Sequence, residues 1–419
     1  MLTDFMNTPK PIWQKPWKYK EGIIISLTLL IIGMALEYAS GGSGITKLIV
    51  YPNNLYFGGG LIIFIVLLSL FGKQSAIKQW LESIPSAICS ISMLLFISLL
   101  MGLTLQYDNG APELIRKLGL SHVLKSWPYL LANMFILLSL GMATIKNLKT
   151  FELRKLGYIV SHLGLWIVIF GANFGSSQLL RLQMEVNEGS ISNMAYDKST
   201  NTQYEMPFAI KLNDFILEEY NPKLAIVSNE TGKLIQGNAK NIILIDTAES
   251  QALLDWQIYI EEYNYSSAKA GNRYYFINER GAAPSALVNV INKDGDTISG
   301  WISCGSFNRP YESLKLNTEL SLIMLFPEPK EFTSEIEILQ KNGNSQKLRL
   351  QVNKPTTVDG WRIYQLGYDS ELGRWSDVSV FELIRDPWLP IVYSGIFLML
   401  AGAVYMFWVG SKNKSEKSQ

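Results

Sequence analysis

Six stretches of the chain run almost without charge: residues 22–36, 55–72, 86–106, 127–145, 156–175 and 388–409. Most approach the roughly 20 apolar residues needed to cross a hydrocarbon core about 30 Å thick. Each predicts a membrane-spanning helix. Between Ser176 and Asp386 the pattern changes to short alternating runs of ordinary soluble composition. "EFTSEIEIL" sets Phe332, Ser334, Ile336 and Ile338 on one face, and "KLRLQV" does the same with Leu348, Leu350 and Val352. Asn342-Gly343 lies between them, a pair that tight hairpin turns favour because both positions need a left-handed backbone. "ALVNVI" and "TISGWIS" flank Asp294-Gly295 in the same way, and "GWRIYQLGYD" with "SDVSVFELIR" suggests a third pair. Further strands are expected at "LQMEV", "FAIKL", "IILI", "WQIYI" and "RYYFI". Short strands punctuated by Gly, Asn and Asp point to a sandwich or open barrel rather than a βαβ fold. The expected fold class is a polytopic α-helical membrane protein of about six transmembrane helices. One large β-rich, sandwich-like domain is inserted before the last helix.

Charge orients the spans. Lys10, Lys15, Lys18, Lys20, Lys73, Lys78, Lys146, Lys149, Arg154, Lys155, Lys412, Lys414 and Lys417 fall on one side; the alternate short loops hold only Lys47, Arg116, Lys117 and Lys125. Short loops rich in Lys and Arg stay in the cytoplasm. Both termini are therefore expected inside, with the 177–386 domain outside, in the periplasm of a Gram-negative cell. Localisation in the bacterial cytoplasmic (inner) membrane follows. The first apolar run is short and follows basic residues, as in a signal peptide, but Ala35 and Ala39 lack the usual cleavage spacing. An uncleaved anchor is the expectation.

Composition mainly excludes. The 419 residues are 48% hydrophobic and their net charge is +1, which offers nothing to nucleic acid. Of the two cysteines, Cys89 falls near the cytoplasmic end of the third span and Cys304 in the outer domain, so no internal disulfide is expected. With no C-x-x-C and no C-x-x-C-H, the chain is neither a thioredoxin-like exchanger nor a c-type cytochrome. The outer domain contains no histidine, so no Ser-His-Asp or Cys-His arrangement forms within it. Its adjacent acids, Glu218/Glu219 and Glu261/Glu262, read as solvated strand edges. Trp361, Tyr364 and Tyr368 suit core packing better than a docking surface. A binding or scaffolding role fits this domain better than catalysis.

The fifth span carries the chemistry. At 100° per residue, Gly157, Ser161, Gly164, Val168, Gly171 and Gly175 form one narrow stripe of small residues, a surface for close helix approach in lipid. His162, one of only two histidines, lies roughly 140° away, with Tyr158, Trp166, Ile169 and Asn173 on its side. Lys155 sits about 10 Å below at the basic end. Ionisable residues within spans are rare and usually functional. Three readings fit His162: a hydrogen bond to a neighbouring helix, a proton relay, or ligation of a metal or cofactor. A relay lacks companions, since the only acid near a span is Glu37, at the outer edge of the first. Haem suits the third reading, because neutral imidazole ligates its iron. Tyr158 and Trp166 are then candidates to flank the macrocycle, and Lys155 to meet a propionate. A bis-histidine site would need its second ligand from another chain.

Several segments occur together and in order: "RKLGYIVSHLGLWIVIFGANFGS", "MPFAIKLNDFILEEYNPK", "PKEFTSEIEIL", "VNKPTTVDGWRIYQLGYD" and "RDPWLPIVYSGIFLMLAG". Over roughly residues 80–410 the chain thereby resembles the ResB (CcsB) family of cytochrome c biogenesis proteins. The resemblance implies a subunit of a System II haem export and cytochrome c synthetase complex, non-catalytic by itself. It implies a Trp-rich ResC (CcsA) partner, apocytochrome c as client and thiol-reducing proteins nearby, all in a lipid membrane. It also implies that His162, in the span before the soluble domain, is an axial haem ligand completed by the partner. His122, within "LSHVLKSWPYLL", would then be a loop or interface residue. The expected division is 1–83, an N-terminal two-helix extension foreign to the family core; 84–176, a ResB-like three-helix core; 177–386, the periplasmic domain; 387–411, the last helix; and 412–419, a cytoplasmic tail. A structural subunit without haem contact, and a transporter or sensor with a periplasmic binding domain, remain the alternative functions.

Overall fold

The computed structural model describes residues 12–42, 44–45, 49–72, 75–107, 110–235, 242–245 and 250–416. Lys10, Lys47, Lys73 and Lys417, used above to orient the spans, lie outside the described residues. The chain divides into two compact units, Met1–Leu180 with Arg385–Gln419, and Arg181–Ile384.

In the first unit, six helices among the described residues are long and apolar enough to cross a membrane. They are α1 (Tyr19–Ala39), α2 (Asn53–Phe71), α3 (Ile84–Leu103), α4 (Trp127–Lys149), α5 (Leu156–Gly175) and α6 (Leu389–Glu416). This is the architecture of a multi-pass membrane protein. Helices α3 and α4 each start with a proline in the first turn (Pro85 and Pro128), where the missing N–H removes no helical hydrogen bond. Helix α4 is the hub: 61% of its most apolar window is buried, against 11–28% for the other five. Its Phe135 stacks on Trp80 of a short helix, Ala76–Leu81, at 5.6 Å. Two of the basic residues read as topology signals also have a structural use. Lys78 and Lys149 both donate to the Ser69 carbonyl near the C-terminus of α2, at 3.0 and 2.8 Å. Cations there complement the partial negative charge at a helix end.

The second unit is built of three antiparallel sheets. The largest has eight strands in the spatial order Ser345–Gln351, Pro329–Gln340, Thr202–Glu219, Ile191–Asp197, Leu180–Asn187, Val378–Arg385, Trp361–Tyr368 and Thr356–Val358. One face is buried in strict alternation, as Leu182, Met184 and Val186 show. Ser334 bonds to both Gln365 and Ser379, each at 2.7 Å, from a strand four places away from theirs or further. The sheet must therefore curl over its buried face as an open barrel. The other two sheets, of five and four strands, enclose Leu224, Leu253, Ile258, Val288, Ile302 and Leu322 as a sandwich. Both expected β architectures thus occur side by side.

All three expected strand pairs form. Leu339 opposes Ser345 across Asn342-Gly343, and Ile291 opposes Thr297 across Asp294-Gly295. Trp361–Tyr368 pairs with Val378–Arg385, with a register shift between Gln365 and Gly367. Trp361 is buried and Tyr368 packs on Phe332 and Phe215, so both serve the core. Two strands exceed expectation: "FAIKL" lies in an 18-residue strand and "WQIYI" in one of 15.

Candidate functional site

The small-residue stripe of α5 packs against α6. A Cβ placed on Gly164 would come within 2.5 Å of the Gly395 carbonyl oxygen and the Met399 nitrogen. One on Gly157 would meet Met406 and the Gly402 oxygen, and one on Gly175 would strike Trp388. The relation is reciprocal, because a Cβ on Gly402 would lie 2.5 Å from the Ser161 nitrogen. Only glycine lets the two backbones approach so closely, and packing of this kind is what joins helices where lipid is as apolar as their side chains.

On its opposite side α5 meets α4 through polar contacts. Trp166 donates its indole N–H to the Leu137 carbonyl at 3.0 Å and stacks on Phe170. Asn173 donates to the side-chain oxygen of Asn133 at 3.0 Å. These contacts fix the rotation of α5 and therefore the direction of His162.

His162 is half-buried. Its Nδ1 lies 2.9 Å from the Tyr158 carbonyl oxygen one turn below. A carbonyl only accepts, so in the neutral ring Nδ1 carries the proton and Nε2 carries the lone pair. The Tyr158 ring stacks on the imidazole at a centroid distance of 3.6 Å, which restricts its tilt. No hydrogen bond of Nε2 is found among the described residues. One nitrogen is thus anchored by a backbone oxygen, which fixes the tautomer and the direction of the ring. Of the proposed companions, Tyr158 touches the ring, Trp166 is committed to α4, and Lys155 pairs with Glu152 at 3.0 Å. Beside this surface lies an apolar groove of about 200 Å³, lined by Ile62, Ile65, Gly141, Thr144, Leu163 and Trp166 among others.

The other histidine has a different setting. His122 Nε2 lies 3.3 Å from Glu37 Oε1, and its Nδ1 lies 3.1 Å from the Ser121 hydroxyl. Glu37 is fully buried. Its carboxylate also accepts the backbone N–H groups of Gly44 and Trp127, both at 2.9 Å. Trp127 opens α4, so Glu37 supplies a negative charge at that helix N-terminus from a different helix. Sequence reasoning saw Glu37 and His122 separately and missed their pairing. Eighty-five residues part them, and the only sequence signal was that each is an ionisable side chain at an apolar edge.

In the β unit, Cys304 is 3% exposed, and burial pushes its thiol up to about 12. It stays protonated at neutral pH, whereas the thiolate is the nucleophile in exchange. Both cysteines are free. No group of three or more His, Cys, Asp or Glu that would hold a metal ion occurs among the described residues. The solvated-edge reading holds for Glu218, which is exposed beside Lys330, but not for its neighbour. Glu219 points the other way, half-buried at a cavity wall.

Comparison with known proteins gives one family. The ResB-like family model matches residues 152–241 and 302–376. The chain is ResB-like over these two segments, the first of which includes α5 and His162. Helices α1 to α4 and α6 lie outside them. No curated protein matches the chain. Among solved structures, one titled "Cytochrome c Heme Lyase CcmF" is similar at 12% identity with a TM-score of 0.22. The match covers 86% of this chain but 46% of that one, so the chain spans less than half its length.

Proposed function

We propose that this ResB-like membrane protein is a subunit of a haem export and cytochrome c synthetase complex, in which His162 supplies one axial ligand to haem in transit. The observation that carries the reading is the anchored Nδ1 of His162, which leaves Nε2 as the lone-pair donor on an accessible helix face. Haem is the cargo here, received and passed on.

The residues fit half a site. Tyr158 holds the imidazole plane, and the adjoining groove offers apolar surface for one edge of a flat ligand. At about 200 Å³ that groove falls below the ~300–1,000 Å³ of pockets that enclose a whole small molecule. The only other histidine, His122, is engaged with Glu37 and Ser121. A second imidazole must therefore come from a partner, for which a Trp-rich ResC-type (CcsA-type) membrane protein is the proposed candidate. In this reading the termini are cytoplasmic and the β unit periplasmic, where apocytochrome c is attached to haem.

The test is co-purification of the partner complex and its absorption spectrum. His162→Ala should lower haem content and shift the Soret band at equal complex yield, while His122→Ala leaves the spectrum unchanged. Unaltered haem content and spectrum in His162→Ala would sink the ligand role and favour a purely structural subunit.

A further inference from the structure

The β unit contains a cavity of about 470 Å³ between the end of the long strand Thr202–Glu219, the segment around Cys304 to Phe307, and the loop that carries Arg374 and Trp375. Its volume is within the range of small-ligand sites. Phe307, Phe326, Tyr368 and Trp375 contribute aromatic surface, and Phe326, 70% exposed, stands at the surface end. The ionisable residues of its lining are Glu219, half-buried, Glu371, exposed, the buried thiol Cys304, Tyr368 and a single cation, Arg374.

Each charge has a distinct state. The two terminal nitrogens of Arg374 are committed to backbone oxygens, donating to Tyr265 at 3.0 Å and Ala282 at 2.9 Å. Its guanidinium also lies 5.0 Å from the Trp375 ring centroid, and the Trp375 indole N–H bonds to the same Ala282 oxygen. Arg374 therefore acts as part of the wall. The Glu219 side chain has no hydrogen bond or ion pair among the described residues. Its burial raises the carboxyl above its ordinary value even though Arg374 pulls the other way. A half-buried carboxylate without a partner is costly and gains most from an incoming cation. Aromatic faces around it add to that preference, because their negative π surfaces attract cations most strongly where water is excluded. An anion would meet the Glu219 carboxylate, and the Arg374 guanidinium beside it already donates to two backbone oxygens.

We propose that this cavity is a binding site for an organic cation, an ammonium or guanidinium on an apolar stem, with Glu219 as its counter-ion and the aromatic walls holding the stem. The cation is either a free amine or the basic side chain of a polypeptide. The inference is independent of the haem reading, since every residue it uses lies in the β unit.

The test uses the full-length protein in lipid nanodiscs and isothermal titration calorimetry. The probes are phenethylamine and N-acetyl-Phe-Lys-amide, with 2-phenylethanol and N-acetyl-Phe-norleucine-amide as their neutral counterparts and phenylacetate as the anion. At least one cationic probe should bind tenfold or more tightly than its neutral counterpart. Glu219→Gln, which keeps the side-chain shape, should abolish that preference. Phe326→Ala, a surface change that does not threaten the fold, should weaken the cation threefold or more. Tight binding of the peptide alone assigns a polypeptide ligand, and tight binding of phenethylamine alone assigns a small amine. Absence of cation binding, equal binding of the neutral probes, preference for phenylacetate, or a preference that survives in Glu219→Gln would each overturn the proposal. Haem spectra of the partner complex should be the same in Glu219→Gln as in the wild type.

Discussion

His122 and His162 show two ways of placing an imidazole in an apolar chain. At His122 the ring is closed into the fold: one nitrogen lies against a hydroxyl, the other against a buried carboxylate that also holds two backbone N–H groups. At His162 only one nitrogen is bonded among the described residues, to a carbonyl of its own helix, and the ring is half-buried. The same contrast divides the faces of α5. Its glycine stripe is filled to backbone contact by α6, while on the His162 side Trp166 and Asn173 bond to α4 and an apolar groove runs past Leu163 and Trp166. Contacts completed within the chain serve stability, and those left incomplete are the ones the proposed function draws on.

That division can be broken by substitution. Gly164→Leu should have the largest effect, because the atoms it strikes belong to the α6 backbone and cannot rotate aside. Overpacking costs about 1–3 kcal/mol where side chains can yield, so a loss of at least about 3 kcal/mol is expected here. Thermal unfolding by fluorescence-detected size exclusion would show it, together with a drop in monodisperse yield; a wild-type Tm would mean that α5 and α6 are not packed through the stripe. Glu37→Gln comes next. A glutamine replaces one of two acceptor oxygens by an amide NH2 that faces a donor, so at least one of Gly44, Trp127 and His122 loses its partner. Hydrogen bonds to a charged group are worth about 1.5–3 kcal/mol, and the same assay should detect a loss of that order. His122→Gln should cost less, about 0.5–1.5 kcal/mol.

For His162→Ala the comparison demands near silence: a change within about 0.5 kcal/mol, as for positions that carry no packing load, alongside the altered haem spectrum proposed above. A stability loss as large as that of Glu37→Gln would place His162 with the structural residues instead.

Much of this was readable along the chain because it is local. Uncharged runs give spans directly, and Asn342-Gly343 and Asp294-Gly295 mark hairpins, in each of which the glycine takes the left-handed backbone. The stripe of α5 was legible because glycines at helical spacing have few other uses, although the sequence did not say that α6 is its partner. What stayed hidden depends on distant segments meeting. Glu37 comes from the end of α1 and His122 from the loop before α4. The curl that brings Ser334 to Gln365 and Ser379 has no periodic signature. Glu219 looked like half of a solvated pair because alternation says that neighbours part, not which side faces a cavity. Trp166 was correctly placed on the His162 side of the helix, but only the α4 carbonyl at Leu137 reveals what occupies its indole N–H.

The smallest expected effect is the most discriminating. If Glu219 is held without a partner so that a ligand can use it, removing its charge should stabilise the unliganded protein. The sign follows from linkage. A carboxyl whose folded value lies above its unfolded one binds protons more readily in the folded state, so its contribution to stability falls as pH rises between the two values. Above the raised folded value both states are ionised and the full cost of the buried charge is present, reduced by Arg374 opposite it. Below the ordinary carboxylate value both are protonated and the cost disappears. Glu219→Gln should therefore raise Tm slightly at pH 7, and the gain should vanish as pH falls through the raised folded value and below the unfolded one. A Tm that falls at pH 7, with the difference lost in acid, would show instead that the Glu219 charge is satisfied by Arg374 within the fold, and would move this carboxylate to the closed side of the comparison.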